Sequence, residues 1–386
     1  MAKAKGLTIA LTYDLKSDYD PNNPDVPAET VAEFAEGETI IAIADALKSL
    51  GHLPVLVGNI FHLTTALAAG RHHQWDLAFN IAEGLRGSAR VAQIPGLLEA
   101  YGVPCALSDA RTMCLMHDKA LTQVVLKDAG VLTAPSMLIK TEDTFDGLEH
   151  SQWMSTLGLK DHGGKGESFD LFVKLNAEGT SKGLCETSRA RNAEAANRAV
   201  QSLRAQFPLK YVLVEQFLDG RELSVSLAGT GAKTEILGVT EMIWPHAGAV
   251  PFCTWVSKIE GEEGKDWIER AVNGREDSEV LKVERLAFRA WVAMGCRDGG
   301  RIDIRSKGWD CDAEPCVLEI NAIAGLCPGW SDLPLAAERN GIGYAQMIEK
   351  FVESARQRVT VSWTSISPLT SPGASVLSGV TKLPGE

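Results

Sequence analysis

The sequence predicts a mixed α/β and α+β fold in two or three domains, on three observations. The chain has 386 residues, enough for more than one core. Its first hundred residues alternate apolar strand-like runs with helix-spaced ones, the signature of a parallel sheet covered by helices. Beyond Arg221 the pattern turns to strands, the last two of which end or centre on oxygen-bearing side chains.

In order, Leu7 to Tyr13 is a short apolar strand. Ala28 to Leu50 reads as a helix, with Ile40, Ile41, Ile43, Ala44 and Leu47 at helical spacing and Gly51 as its stop. Leu53 to Val57 is a strand, Leu63 to Ala69 a helix, Leu77 to Asn80 a strand, and Ala92 to Tyr101 a helix closed by Gly102 and Pro104. A second unit starts near Ser108, with a helix from Lys119 to Ala129 and a strand from Met137 to Lys140. Residues 141–169, with Gly163-Gly164-Lys165-Gly166, read as an irregular insertion. Strands Leu171 to Leu175 and Tyr211 to Glu215 flank a helix near Arg191 to Gln206. Strands 222–230 and 234–243 follow, and Tyr344 to Gln357 is the late helix. Residues 361–386 are rich in Ser, Thr, Pro and Gly and read as a mobile tail.

A hydrophobic share of 45% and a charged share of 23% are ordinary for a globular protein. The net charge of −12 argues against a general nucleic-acid or anionic-membrane surface. The eight cysteines form no Cys-x-x-Cys pair and read as reduced, buried thiols. The start lacks a secretory apolar stretch, and no run is long enough for a membrane helix, so the expected location is cytoplasmic.

The chemistry concentrates in Arg301-Ile302-Asp303 and Leu318-Glu319-Ile320-Asn321. Glu319 and Asn321 are two apart and leave a strand on one face; Asp303 on a neighbouring strand completes a hard-oxygen cluster suited to Mg²⁺ and substrate phosphates. Arg301 shares the face of Asp303, which points to phosphoryl transfer. In Val173 to Gly183, Gly179 and Gly183 let backbone N–H groups approach phosphate oxygens, Thr180 and Ser181 add donors, and Lys174 and Lys182 add charge. The same loop is also readable as a plain turn. Glu215 could face an adenine and Glu222 a ribose, or both could be solvated strand ends. Lys119 opens a helix capped by Asp118. Neither a Gly-x-x-x-x-Gly-Lys-Ser/Thr loop nor a Gly-x-Gly-x-x-Gly fingerprint occurs, which disfavours a nicotinamide dehydrogenase.

Together these residues resemble the ATP-grasp superfamily, and within it the D-alanine–D-alanine ligase family. The matches keep the family's order: His117 to Thr122, Val173-Lys174 with Glu178 to Ser181, Val214-Glu215 to Glu222, Gly295 to Asp303, and Leu318 to Gly325; Leu333 to Ala337 resembles a late helix entry. The resemblance implies three domains: an N-terminal parallel-sheet unit (1–108), a central lid (109–219) and a C-terminal catalytic unit (220–358), with 359–386 as tail. It implies that Lys119, Lys174, Glu178, Gly179, Thr180 and Ser181 hold ATP phosphates, and that Glu215, Gln216, Phe217 and Leu218 meet the adenine and Glu222 the ribose. Asp303, Glu319 and Asn321 would bind two Mg²⁺ ions, with Mn²⁺ as a substitute. Arg301 and the Gly325 N–H would stabilise the tetrahedral intermediate, with Ser181 and Lys258 completing the catalytic set. The implied activity joins two amino acids as a dipeptide through an acyl phosphate, a step of peptidoglycan-precursor synthesis. The implied partners are small amino-acid substrates and a second copy of the chain, with no nucleic acid and no membrane.

The amino-acid end departs from the family. Where a His-Gly-x-x-Gly-Glu-Asp-Gly run is usual, the chain has Asn80-Ile81-Ala82-Glu83-Gly84-Leu85-Arg86-Gly87-Ser88, with Glu83 near the histidine's place. Beside a substrate carboxylate Glu83 needs Arg86 or Arg90 to compensate; alone it favours an amine. Glu33, Glu36 and Glu38 are candidates for the glutamate that meets the first substrate's amine, with Glu36 set beside Glu83 and Ser331 as the substrate residues. The usual Lys-Tyr pair is Lys258-Ile259, and Lys182 stands where an apolar residue is usual. Alternatives to a D-alanine ligase are a ligase for another amino acid or a natural-product carboxylate, and an ATP-binding protein without catalysis.

Overall fold

The computed structural model describes residues 6–19, 31–159, 169–244, 251–254, 268–310 and 312–359. The first layer is built from β1 (Thr8–Thr12), α1 (Gly37–Ser49), β2 (Leu53–Gly58), α2 (Ile60–Ala68), β3 (Leu77–Asn80), α3 (Gln93–Ala100) and β4 (Cys105–Ala106). Its sheet runs β2-β1-β3-β4 with every pairing parallel. The near-continuous apolar strands β1 and β3 are buried on both faces, as such a sheet requires.

Two helices, α4 (Ala110–His117) and α5 (Lys119–Asp128), lead into the second layer. Asp118 ends one and caps the other, its carboxylate accepting from the Leu121 N–H at 2.9 Å. There follow β5 (Ser136–Ile139), α6 (His150–Thr156), β6 (Leu171–Leu175), β7 (Arg189–Ala190), α7 (Ala193–Gln206) and β8 (Val212–Gln216). The sheet order is β5-β8-β6-β7, antiparallel throughout. It closes a core of its own around Ile139, Trp153, Val173, Val200 and Val214.

The third layer contains β9 (Glu222–Ala228), β10 (Glu235–Ile243), β11 (Ile268–Val272), α8 (Ser278–Met294), β12 (Gly299–Ser306), β13 (Pro315–Asn321), α9 (Asp332–Arg339) and α10 (Tyr344–Val359). Its antiparallel sheet runs β11-β10-β9-β12-β13. Val280, Val283, Ala287, Ala290, Trp291 and Met294 form the buried stripe of α8, which Gly295 ends in the left-handed conformation. One apolar cluster runs from Ile9, Ile43 and Phe79 of the first layer to Val225, Trp291, Ile304 and Phe351 of the third.

The structure corrects two expectations from the sequence. The helix expected from Ala28 starts at Gly37; residues 31–36 instead form an irregular turn, in which the Ala35 N–H donates to the Asp14 carbonyl at 2.9 Å and Glu36 is already extended. Residues 28–30 lie outside the described residues. The stretch 141–169 contains α6, whose Trp153 is fully buried and whose start is tied by the Glu149 N–H to the Gln152 side chain at 2.8 Å. Helices α4 and α8, and strand β11, went unread in the sequence, although α8 has both an Asp277 cap and a Gly295 stop. The Gly163–Gly166 run and the 361–386 tail lie outside the described residues.

Candidate functional site

The site forms where the second and third layers face each other. Antiparallel pairing of β12 with β13 sets Arg301 opposite Asn321 and Asp303 opposite Glu319, so the period-2 pattern of both strands delivers four polar side chains to one place. Arg301 grips Asp303 with two bonds, Nε to Oδ1 at 2.8 Å and Nη2 to Oδ2 at 2.9 Å. Its third nitrogen, Nη1, donates to Asp332 at 2.6 Å, at the start of α9. Asp303 also accepts from the Ser224 hydroxyl at 2.7 Å and from the Asn321 amide at 2.9 Å. The Arg301 guanidinium is half-buried, and Asp303 and Asp332 hold its pKa above the usual value despite the desolvation.

Lys119, at the N-terminus of α5, spans the gap between layers. Its Nζ lies 2.6 Å from the Glu178 carbonyl and 3.3 Å from Glu319. Residues 176–184 form the loop after β6. Thr180 and Ser181 there adopt left-handed backbone, with φ of 49° and 56°, a conformation unusual for side chains branched or bulky at Cβ. A Cβ on Gly179 would stand 2.4 Å from a Glu33 carboxylate oxygen, so any larger residue there would push the Glu33 carboxylate aside. The Glu178 carboxylate is bonded by Lys182 at 2.6 Å and by Lys210. Burial raises its proton affinity, but the two ammonium groups outweigh burial and bring its pKa down to about 2.

Lys174 on β6 pairs with Glu215 on β8 at 2.5 Å, both nearly buried. Gln123 of α5 donates to the other Glu215 oxygen at 3.2 Å and is itself bonded by Ser136. Beyond Glu215, Gln216, Phe217 and Leu218 are buried; the Gln216 Oε1 has no partner among the described residues. Phe217 packs against Phe172 and Phe252, with the Arg189 and Arg305 guanidinium carbons 3.8 Å and 4.8 Å from its ring centre. Glu222 pairs with Arg305 at 3.0 Å. A buried acceptor beside an aromatic ring, with lysines at one end, suits a purine nucleotide.

Gly325 and Ser331 meet. A Cβ on Gly325 would stand 2.7 Å from the Ser331 hydroxyl, which accepts from the Cys327 N–H at 3.1 Å. Lys258 lies outside the described residues. Glu36 does not reach the site; it is exposed at the start of α1 and pairs with Lys16 at 2.8 Å. Glu33 reaches it instead. Its carboxylate accepts from the Gly179 N–H at 2.7 Å and pairs with Arg90 at 2.5 Å, both side chains 6% exposed. The short irregular turn of 31–36, misread as helix, is what aims Glu33 inward.

Arg90 compensates Glu83 at 3.7 Å and donates to its carbonyl at 2.8 Å, whereas Arg86 is exposed. Burial, and then the Glu33 carboxylate, push the Glu83 carboxyl up to about 8. Burial and the Arg90 and Lys119 cations push His117 down to about 3, so it is neutral. Arg189, Lys210 and Arg305 also line the site and went unread in the sequence. For Arg305 a signal existed, since Arg301, Asp303 and Arg305 alternate on one strand face.

The metal fit depends on donor chemistry. Asp303, Glu319 and Asn321 offer hard oxygens on paired strands, which suits Mg²⁺. Among the described residues no three His, Cys, Asp or Glu side chains converge as a cage, so Asn321 and substrate phosphates must supply further oxygens. No described helix is long and apolar enough to cross a membrane.

Comparison with known proteins gives consistent findings. The model of the family described as D-ala D-ala ligase C-terminus matches residues 126–353. The uncharacterised protein y4sG of Sinorhizobium fredii is 29% identical over 333 residues, 84% of this chain and 89% of the relative. A D-alanine–D-alanine ligase of Thermotoga maritima is 29% identical over 285 residues, 73% of this chain and 80% of the relative. The crystal structure of D-alanine–D-alanine ligase from Bacillus anthracis complexed with ATP superposes with a TM-score of 0.63 at 18% identity, covering 92% of this chain and 98% of that one.

Proposed function

The chain belongs to the D-ala D-ala ligase C-terminus family and is an ATP-dependent ligase of the ATP-grasp fold; from that premise we propose that it joins a carboxylate to an amine through an acyl phosphate. The observation that carries this reading is the position of Lys119, which touches both the Glu178 carbonyl of the glycine-containing loop and the Glu319 carboxylate of the oxygen cluster.

In the proposed reaction the first substrate's carboxylate attacks the γ-phosphorus of ATP, forming the acyl phosphate and releasing ADP. The second substrate's amine then attacks the acyl carbon, and phosphate leaves as the amide forms. Lys119, Lys174 and the N–H groups of 179–181 hold the phosphates. The base lies along Glu215 to Leu218 and the ribose near Glu222. Arg301, fixed by Asp303 and Asp332, and the Gly325 N–H face the oxyanion of the second step. Asp303, Glu319 and Asn321 would hold Mg²⁺, which supplies charge neutralisation at the phosphate oxygens when bound. We place the divisions of the chain at 1–108, 109–219 and 220–358, and a homodimer belongs to the same reading; sedimentation tests it.

D-Alanine is the first substrate to try. A different amino acid or natural-product carboxylate is the second reading, favoured by Glu83 and Arg90 standing at the amino-acid end. The test is ADP release with ATP, Mg²⁺ and D-alanine, run beside L-amino acids and other amines, with products identified by mass spectrometry. A D-alanyl dipeptide supports the first reading and turnover with another pair the second. Absence of ADP release with every pair would overturn the ligase proposal.

A further inference from the structure

Arg305 has no part in the chemistry described above, yet it is among the most buried charges of the chain, 4% exposed. It continues the strand face that begins with Arg301 and Asp303, and pairing of β12 with β9 sets it directly opposite Glu222. Nη1 donates to Glu222 at 3.0 Å and to the Pro251 carbonyl at 2.7 Å; Nε donates to the Gly220 carbonyl at 3.3 Å. The guanidinium carbon is 4.8 Å from the centre of the Phe217 ring. Nη2 donates no hydrogen bond among the described residues. Nη2 is not among the enclosed side-chain atoms that lack a partner, so it stays accessible to a ligand, and one edge of the fork already suffices to pair with Glu222.

We propose that Arg305 is a nucleoside-binding residue, whose Nη2 edge donates to an acceptor of the bound purine nucleotide, a ring nitrogen or a ribose oxygen, while its other edge fixes Glu222. The inference rests on the nucleotide-site reading given above. It extends the division of labour along β12: the phosphate end is served by Arg301 and Asp303, and the nucleoside end, two residues further on, by Arg305. A planar guanidinium performs both tasks at once, whereas an ammonium, being a single point charge, does not.

The test is calorimetric binding of ATP, 2′-deoxy-ATP and inorganic tripolyphosphate to the full chain, to R305M and to R305K, with melting temperatures recorded alongside. The wild-type chain is expected to bind ATP more tightly than tripolyphosphate. R305M is expected to lose about tenfold or more in ATP affinity while keeping its tripolyphosphate affinity. R305K is expected to restore the melting temperature but not the ATP affinity. A larger loss for ATP than for 2′-deoxy-ATP assigns the acceptor to the ribose 2′-hydroxyl, and an equal loss assigns it to the base or another ribose oxygen. Unchanged ATP affinity in R305M, full recovery in R305K, or parallel loss of ATP and tripolyphosphate would each overturn the proposal. A wild-type chain that binds tripolyphosphate but gains nothing from the nucleoside would overturn it too. A wild-type chain that binds neither would overturn the nucleotide-site reading itself.

Discussion

Glu33 and Gly179, 146 residues apart in sequence, are joined by a hydrogen bond of 2.7 Å from the loop N–H to the carboxylate. The same carboxylate is neutralised by Arg90. The Glu33→Gln variant keeps the size of the side chain but leaves Arg90 without its closest buried anion, which costs about 3–5 kcal/mol when a buried pair is broken. The expected result is a lower melting temperature and faster hydrogen exchange at the Gly179 amide. An unchanged exchange rate would show that Glu33 does not hold the loop.

Arg301 is bonded to two carboxylates and faces the proposed oxyanion. Replacement by methionine should lower kcat by about 100-fold or more, in line with loss of one preorganised donor. Steady-state kinetics on whichever substrate pair turns over decides this. A change confined to KM would move Arg301 from the reacting centre to substrate binding.

Asp303 and Glu319 are the two carboxylates of the oxygen cluster. D303N and E319Q should each shift the Mg²⁺ dependence of ADP release to higher concentration, and a chelator should abolish release in the wild-type chain. Mg²⁺ titration of activity is the readout. Identical titration curves in all three proteins would place the metal elsewhere.

Lys174 and Glu215 form a nearly buried pair in the central sheet. K174M strands Glu215 and is expected to destabilise the chain by about 3–5 kcal/mol. The double variant K174M/E215L should regain most of that stability, because an apolar pair of similar volume is tolerated there. It should not regain ATP affinity. Denaturant unfolding and ATP binding, measured on both variants, separate the two roles.

Glu83 gives a prediction in pH. Its carboxyl is raised from 4.5 to about 8 in the folded chain, first by burial and then by Glu33. The folded state therefore binds a proton that the unfolded state releases at lower pH. The favourable contribution is complete below 4.5, declines as pH rises, and is gone above about 8. E83Q should flatten this part of the stability curve. Melting temperatures at about pH 5 and about pH 9 test it, and an equal decline in both proteins would assign the slope to another group.

The legible part of the site was the part whose spacing is local. Asp303, Glu319 and Asn321 share strand faces by period-2 spacing, and the register of β12 with β13 brings the faces together as expected. The loop after β6 was legible as a loop because Gly179 and Gly183 bracket hydroxyl residues within one short segment, and residues 176–184 form neither helix nor strand. Glu33 was not singled out, because its role depends on a turn at 31–36 and the glutamates at 33, 36 and 38 look alike in sequence; Glu36 is exposed. Arg90 was seen only as a compensating charge, since nothing local to it signals the contact with Glu33. Helix α6 was hidden by the polar, glycine-containing stretch around it; the burial of Trp153 and Met154 against the central sheet, with the Glu149–Gln152 capping contact, holds it in place.

The central sheet keeps its own core, while the first and third sheets share another. Little apolar surface is therefore lost if the central sheet swings away: Ala134, Leu218 and Cys316 form the small apolar cluster at that junction. Phe252 adds an aromatic contact to Phe172 and Phe217, and polar ties also cross the cleft, as at Gly179 with Glu33 and Lys119 with Glu319. Water can replace such ties at low cost, whereas it cannot replace a core. On the proposed reading, nucleotide entry trades one set of hydrogen bonds for another and leaves both large apolar clusters untouched.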